Sequence, residues 1–550
     1  MARIPAEKRD RNRMNPSRFD GIVIGAGHNG LITAAYLARA GLRVAVFESR
    51  PDVGGAFSTE ELTVPGFRHN IHTIYCKLHD SPVHGDLDLG RYGVSYVFPD
   101  PKEAFVRRDS YFLCYQDVEA NYNSLRRIST KDAETYRKVA RKWQQWYLDF
   151  ILPEMYSAPK PADEWEAEIR KKPGGKEYAD VVLGYSPREY AAELYESEMA
   201  QYTVWRGAAS AEYDVRSKGI PALVFATMAN WYAGRTALVR GGTRRLPEAL
   251  ARIVEEHGGS IFASQPVERI IVEGGVAKGI ALRDGSEVRA DRFVASSINP
   301  VHTFLFMVGE DKLTDEIREK VTGYKFNETS IFRLHLALKE RPIFKISDRE
   351  PAINDAWRFI IGFESPADLR KRGEQAYAGV IPDIVGMTAG IITTHDPSQA
   401  PPGCHTAYAG ILAPFDLADG GAGRWVEVAN ETADKVMDKF REYAPNMTKD
   451  NILGRFAYTP KDIEEYLPDM ISGDICQGKI CPEQLGYNRP WPGMSRYRTF
   501  IDRLYLCGAS AHPGGHAHGA PGYNAANAIA EDLGIAKWWP PFEPRKVVSF

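Results

Sequence analysis

Cysteine is scarce in this sequence. Six cysteines are scattered over 550 residues, which argues against a secreted fold held by disulfides. No apolar run reaches the about 18 residues that a membrane-spanning helix needs. An excess of one charge is also missing. Lys and Arg total 69 against 72 Asp and Glu, a net charge of −3. That balance gives no electrostatic footing for nucleic acid. The opening stretch, MARIPAEKRDRNRMNPSRFD, is basic and polar and lacks the apolar middle of a secretory signal. Residues 1–17 are therefore expected to form a disordered basic arm. The expected location is cytoplasmic, with peripheral contact to a membrane as an option.

What is present is the composition of an ordinary globular protein, 44% hydrophobic and 26% charged. A chain this long exceeds one simple core and predicts two or more domains. The most informative stretch is FDGIVIGAGHNGLITAAYLARAGLRVAVFESRPDVGG. Ile22 to Ile24 reads as a short buried strand. Gly25, Gly27 and Gly30 follow as G-x-G-x-x-G, then a helix over Leu31 to Ala40. A second strand over Arg43 to Phe47 ends in Glu48. Gly25 permits the tight turn, Gly27 lets backbone approach a pyrophosphate, and Gly30 lets helix pack on strand. The helix N-terminus offers free N–H donors to phosphate, and Glu48 can accept from ribose hydroxyls. The Gly54–Gly55 doublet places further backbone N–H groups beside that pyrophosphate, with Ser49 and Ala56 on the same loop.

Beyond this unit the character changes twice. Residues 96–235 read as a helical insertion. Tyr136, Val139, Trp143 and Phe150 recur at helical spacing, with Ser129 or Thr130 as cap and Pro153 as stop. From Leu238 the pattern returns to a helix carrying Leu246, Leu250, Ile253 and Val254. Three short strands follow, VERIIVE, VAKGIAL and SEVRADRFVAS, separated by Gly-Gly and Asp-Gly turns. Residues 303–490 form a second mixed block. The chain then closes with the buried strand LYLCGAS and the helix GYNAANAIAEDLG. The expectation is an α/β fold. A discontinuous Rossmann-type nucleotide domain takes 18–95, 236–302 and 491–535. A mixed α+β substrate domain is built from the insertions 96–235 and 303–490. Residues 536–550 are an aromatic tail.

The order of VIGAGHNGL, ESRPDVGGAFSTEELTVPGFRH, RGGTRRLPEALA and LYLCGASAHPGGHAHGAPGYNAA resembles the phytoene desaturase-like flavoproteins. It is nearest the subgroup called pyridine nucleotide-disulfide oxidoreductase domain-containing proteins. The resemblance spans Arg18 to Gly534 and implies FAD as cofactor. It further implies contact of the Val267 backbone with adenine, and Gly508 and Ala509 beside the pyrophosphate and ribityl chain. Pro521, Gly522, Tyr523 and Asn524 would then open a helix aimed at the flavin, whose end favours negative charge there.

Histidines cluster in two places. His512, His516 and His518 lie in a Gly/Pro-rich loop with no Cys or carboxylate inside the stretch, so no metal is expected. His516 and His518 are candidate acid–base groups, and His512 is expected to be structural. His69, His72 and Tyr75 lie in GFRHNIHTIYC, with His72 the third catalytic candidate. Cys476 and Cys481 have the C-x4-C spacing of flavin disulfide reductases. They lie far downstream and no second G-x-G-x-x-G follows a strand, so neither a redox disulfide nor NAD(P)H is expected.

The leading expectation is an oxidoreductase that passes a hydride from a C–H of an apolar or aromatic small molecule to flavin N5. Oxygen or a quinone would reoxidise the flavin. The alternatives are a flavin-dependent isomerase without net redox change and a non-catalytic flavin-bound scaffold. Trp538, Trp539 and Phe542 in the tail need cover. Folding back on the same domain, a second subunit or a membrane interface could each supply it, and a homo-oligomer is expected.

Overall fold

The computed structural model describes residues 18–209, 213–219, 224, 236–383 and 386–548. The expected arm at 1–17 lies outside them.

Apolar strands with no polar alternation need cover on both faces, which is the signature of a parallel sheet. Arg18–Ile24 and Val44–Phe47 are such strands, and they pair in parallel. Ser260–Phe262 extends the sheet beyond Val44–Phe47. The long strand Glu287–Ser296 lies on the other side of Arg18–Ile24. Its first residues pair antiparallel with Val276–Leu282, and its last with Leu504–Leu506 in parallel. Val267–Glu273 completes the seven strands. One sheet is thus assembled from three distant stretches of chain.

The helix His28–Arg39 covers this sheet, wedged against the helices Arg245–Glu256 and Ala520–Asp532. Small residues permit the close approach. A Cβ on Gly30 would lie 2.3 Å from the Gly25 oxygen, and one on Gly522 would lie 2.3 Å from the Asn29 oxygen.

A second seven-stranded sheet draws on both insertions. Its order is Ile452–Tyr458, Thr329–Leu338, His405–Pro414, Met387–Ile391, Arg358–Ile361, Glu103–Val106, Tyr111–Cys114. Side chains alternate between its faces. One face presents Phe332, Leu334, Ala409 and Phe359 to the helix Trp425–Tyr443. Phe332 stacks on Trp425 with ring centroids 5.7 Å apart. The opposite face carries Arg333, Tyr408, Thr388 and Arg358.

The helical block departs from expectation at one proline. Thr130–Trp146 is a helix, and Ser129 caps it by accepting from the Asp132 N–H. Pro153 does not stop the chain there. A π-helical turn over Tyr147–Ile151 shifts the hydrogen-bond register, and Pro153 enters the first turn of Leu152–Met155, where its missing N–H costs nothing.

The tail covers its own domain. The Trp538 ring stacks on Tyr36 at 5.4 Å under the Arg39 guanidinium. Trp539 is 3% exposed and donates its indole N–H to Asn527. Phe542 packs edge-on against Tyr156. The aromatic cluster that motivated a subunit or membrane contact is satisfied within the chain. No described helix is long and apolar enough to cross a membrane.

Candidate active site

The strand Arg18–Ile24 ends in a turn whose backbone is tied to its neighbours. The Gly25 N–H donates to the Phe47 oxygen at 2.8 Å, and the Gly54 N–H donates to the Ala26 oxygen at 2.8 Å. Gly27 caps the helix His28–Arg39. No atom lies within 4 Å of where a Gly27 Cβ would sit. Glu48 is buried at the end of the next strand. It accepts from the Ala26 N–H at 2.8 Å and the Arg50 N–H at 2.9 Å, which fixes its carboxylate beside the turn.

Gly25, Gly27, Glu48, Ser49, Gly55, Ala56, Val267, Gly508 and Ala509 all line one cavity of about 1340 Å³. That exceeds the roughly 300–1,000 Å³ of an ordinary small-molecule pocket and leaves room for a dinucleotide and a second compound. Free N–H groups at a helix start, an acid at the next strand end and open space at Gly27 fit an FAD cradle.

Other predicted cofactor residues stand behind the cradle. Gly30 and Gly54 do not line the cavity. They permit close packing, since a Gly54 Cβ would meet the Phe57 oxygen at 2.7 Å. Pro521, Gly522, Tyr523 and Asn524 stand further back, and none of them lines the cavity. Tyr523 packs edge-on against Tyr36, Asn524 donates to the Met155 oxygen, and Gly522 seats the helix on Asn29.

The histidines separate in the same way. His518 is 2% exposed and outside the cavity lining. Its Nδ1 accepts from the Ala520 N–H at the start of the helix Ala520–Asp532. His512 is buried with Nε2 against the Glu154 oxygen. His69 pairs with the Thr63 hydroxyl. His516 and His72 do reach the cavity. His516 Nε2 is 3.7 Å from the Cys476 Sγ, and His72 Nε2 is 3.3 Å from the Tyr458 hydroxyl. Burial, with Arg333 and Arg50 nearby, pushes His72 down to about 3. Cys476 and Cys481 are both free thiols, and no metal-binding cluster occurs among the described residues.

The cavity roof was not foreseen. Arg333, Tyr408, Thr388 and Arg358 project from the second sheet, joined by Arg206 and Arg372 from flanking helices. Their only signal in the sequence was charge inside apolar strands, as in IFRLHLAL and WRFII. Arg358 is paired with the buried Glu103 at 2.7 Å. Burial lowers the Arg358 pKa, but Glu103, Tyr75 and Tyr408 outweigh it and the net shift is upward. Arg206 donates to the Thr388 hydroxyl at 3.0 Å.

Comparison with known proteins decides the family. Residues 23–87 match the NAD(P)-binding Rossmann-like domain, and residues 77–387 match the flavin containing amine oxidoreductase model. A limonene dehydrogenase component of Castellaniella defragrans is 32% identical, over 96% of this chain and 97% of that one. The chain belongs to the flavin-containing amine oxidoreductases. Within them it is phytoene desaturase-like. Pyridine nucleotide-disulfide oxidoreductase domain-containing protein 2 of Mus musculus is 31% identical, over 95% of this chain and 94% of that one. A putrescine oxidase structure with bound putrescine shares the fold, with TM-score 0.60 and 14% identity over 94% of this chain and 99% of that one. This flavoprotein is an FAD-dependent oxidoreductase.

Proposed function

We propose that the protein removes a hydride from a C–H of an apolar or aromatic small molecule held between the nucleotide cradle and the second sheet. The carrying observation is the continuity of one cavity from Gly27 and Glu48 to Ile331 and Leu412 on the sheet face. FAD supplies the two-electron acceptor chemistry when bound. Gly27, Gly55 and Glu48 would hold its nucleotide part, with Val267 towards the adenine. Leu305, Met307, Ile331, Leu412 and Met470 hold the substrate and keep water from the reacting carbon. The limonene and phytoene in the names of two relatives support a substrate of this kind.

Desaturation also releases a proton. His72 is a poor acceptor near neutral pH, because burial holds its imidazole neutral and weakly basic. It orients its neighbours through Tyr458. We assign proton acceptance to His516, which lines the cavity beside Cys476. Oxygen or a quinone is the proposed final electron acceptor. The aromatic cluster of the tail is covered within the chain and by itself calls for neither a subunit nor a membrane contact.

The test is anaerobic mixing of the yellow protein with terpenes, polyenes and aromatic compounds. Bleaching of the oxidised flavin bands, with product two hydrogens lighter, supports the reading. An isomeric product without bleaching overturns it in favour of isomerisation. His516→Asn should slow bleaching by about 10²- to 10⁴-fold, the ordinary worth of acid–base catalysis. An unchanged rate would remove His516 from the mechanism.

A further inference from the structure

This inference rests on the proposed redox cavity and adds the class of compound that it receives. The roof is cationic. Arg206, Arg333, Arg358 and Arg372 all line the cavity. Arg358 is balanced by Glu103 behind it. Arg333 and Arg372 are not balanced in this way. The Nε of each is buried without a hydrogen-bond partner among the described residues. Arg333 otherwise donates to the backbone oxygens of Ile71 and His72, both neutral acceptors. Arg372 lies over the Phe363 ring at 4.9 Å. No carboxylate among the described residues forms an ion pair with either guanidinium.

Burial lowers both groups, Arg372 to about 10, and a guanidinium stays protonated in proteins. A cation held out of water against neutral oxygens is costly unless an anion completes it. A guanidinium fork matches a carboxylate in two parallel hydrogen bonds. Phenols stand beside the fork. The Arg333 guanidinium lies 5.6 Å from the Tyr408 ring, and the Arg358 guanidinium lies 5.2 Å from the Tyr75 ring. Tyr75 and Tyr408 both line the cavity, and the same wall continues as Ile331 and Leu412. While Asp214, Glu374 and Asp469 also line the cavity without pairing with Arg333 or Arg372, the wall sets a cationic pole at Arg333 beside an apolar stretch. A protonated amine would meet like charge there.

We propose that the cavity receives compounds carrying a carboxylate on an apolar or aromatic body, with Arg333 as the fork that holds the carboxylate. The apolar stretch of the wall then seats the carbon to be oxidised.

The test uses the FAD-loaded full chain and isothermal titration calorimetry. The probes are decanoate, decanamide, decylamine and decyl phosphate, with cinnamate and cinnamamide as the aromatic pair. The acids should bind roughly 10- to 100-fold tighter than their amides, the worth of charge-assisted hydrogen bonds. Arg333→Gln should bring acid and amide together, and Arg333→Lys should restore part of the preference as a point charge without a fork. Equal binding of acid and amide to the native chain overturns the proposal. So does failure of both acids to bind, or an undiminished preference in R333Q that keeps native flavin absorbance. Tighter binding of decyl phosphate than of decanoate overturns the carboxylate class. If R333Q does not fold, R372Q and the native acid–amide comparison still decide. A flavin that no compound bleaches refutes hydride removal separately, because it leaves the binding comparison intact.

Discussion

The nucleotide cradle and the cavity roof face each other across one space, yet they are built from different materials. The cradle is backbone. Its working groups are N–H donors at a helix start and the space at Gly27 that no atom approaches within 4 Å. Glu48 is its main side chain. The roof is side chain: guanidinium and phenol groups from strands that are remote in sequence and adjacent in the sheet. A backbone site needs only the glycines that open it. A side-chain site changes its ligand with each substitution, and the proposed choice of substrate rests on it.

The sharpest way to break this contrast is to put a side chain into the cradle. Gly27→Val should abolish FAD binding, since the new methyls enter the pyrophosphate space, while far-ultraviolet circular dichroism stays native. Unfolding of this variant would make Gly27 a packing glycine like Gly30. The tail gives the next largest effect. Trp539→Ala should cost about 3–5 kcal/mol of stability, the usual loss for a buried aromatic, without changing mass in solution. A smaller assembly would assign the tail to a subunit contact instead. Gly30→Ala should cost about 1–3 kcal/mol through the 2.3 Å clash with the Gly25 oxygen. Its flavin affinity should fall far less than that of Gly27→Val, and equal losses would erase the distinction between cradle and packing.

The smallest effect is electrostatic. Burial pushes His69 and His512 each down to about 4 from an ordinary 6.5. The fold therefore holds them neutral, while the unfolded chain takes up protons first as pH falls. Their stabilisation is full above about 6.5 and is lost towards about 4, with each contributing up to about 1.4 kcal/mol per pH unit. Melting temperature should fall steadily from pH 7 to pH 5 in salt-matched buffers. A flat profile would mean that these histidines are solvated.

The same contrast explains what could be read in advance. The glycine turn, Glu48 and the alternating strands announce themselves over a few residues, because local geometry imposes their spacing. The nucleotide-domain sheet followed from that, even though Leu504–Leu506 joins it from the far end of the chain. The roof could not be read this way. Arg333 and Thr388 share a face only because Arg333 pairs with Gly410 and Gly410 with Thr388. Such pairing is a property of sheet order. The residues from Pro521 to Asn524 pose a related problem. Their small, buried pattern suits close packing of helix on helix as well as contact with a flavin, and composition alone does not separate the two. The Pro153 stop failed because a π turn absorbed the missing donor.

The division of labour itself is tested by flavin content. Purified Gly27→Val and Arg333→Gln should be denatured and their released FAD measured against protein. The account predicts no FAD from the first and native stoichiometry from the second. Retained FAD in Gly27→Val, or lost FAD in Arg333→Gln, would contradict it.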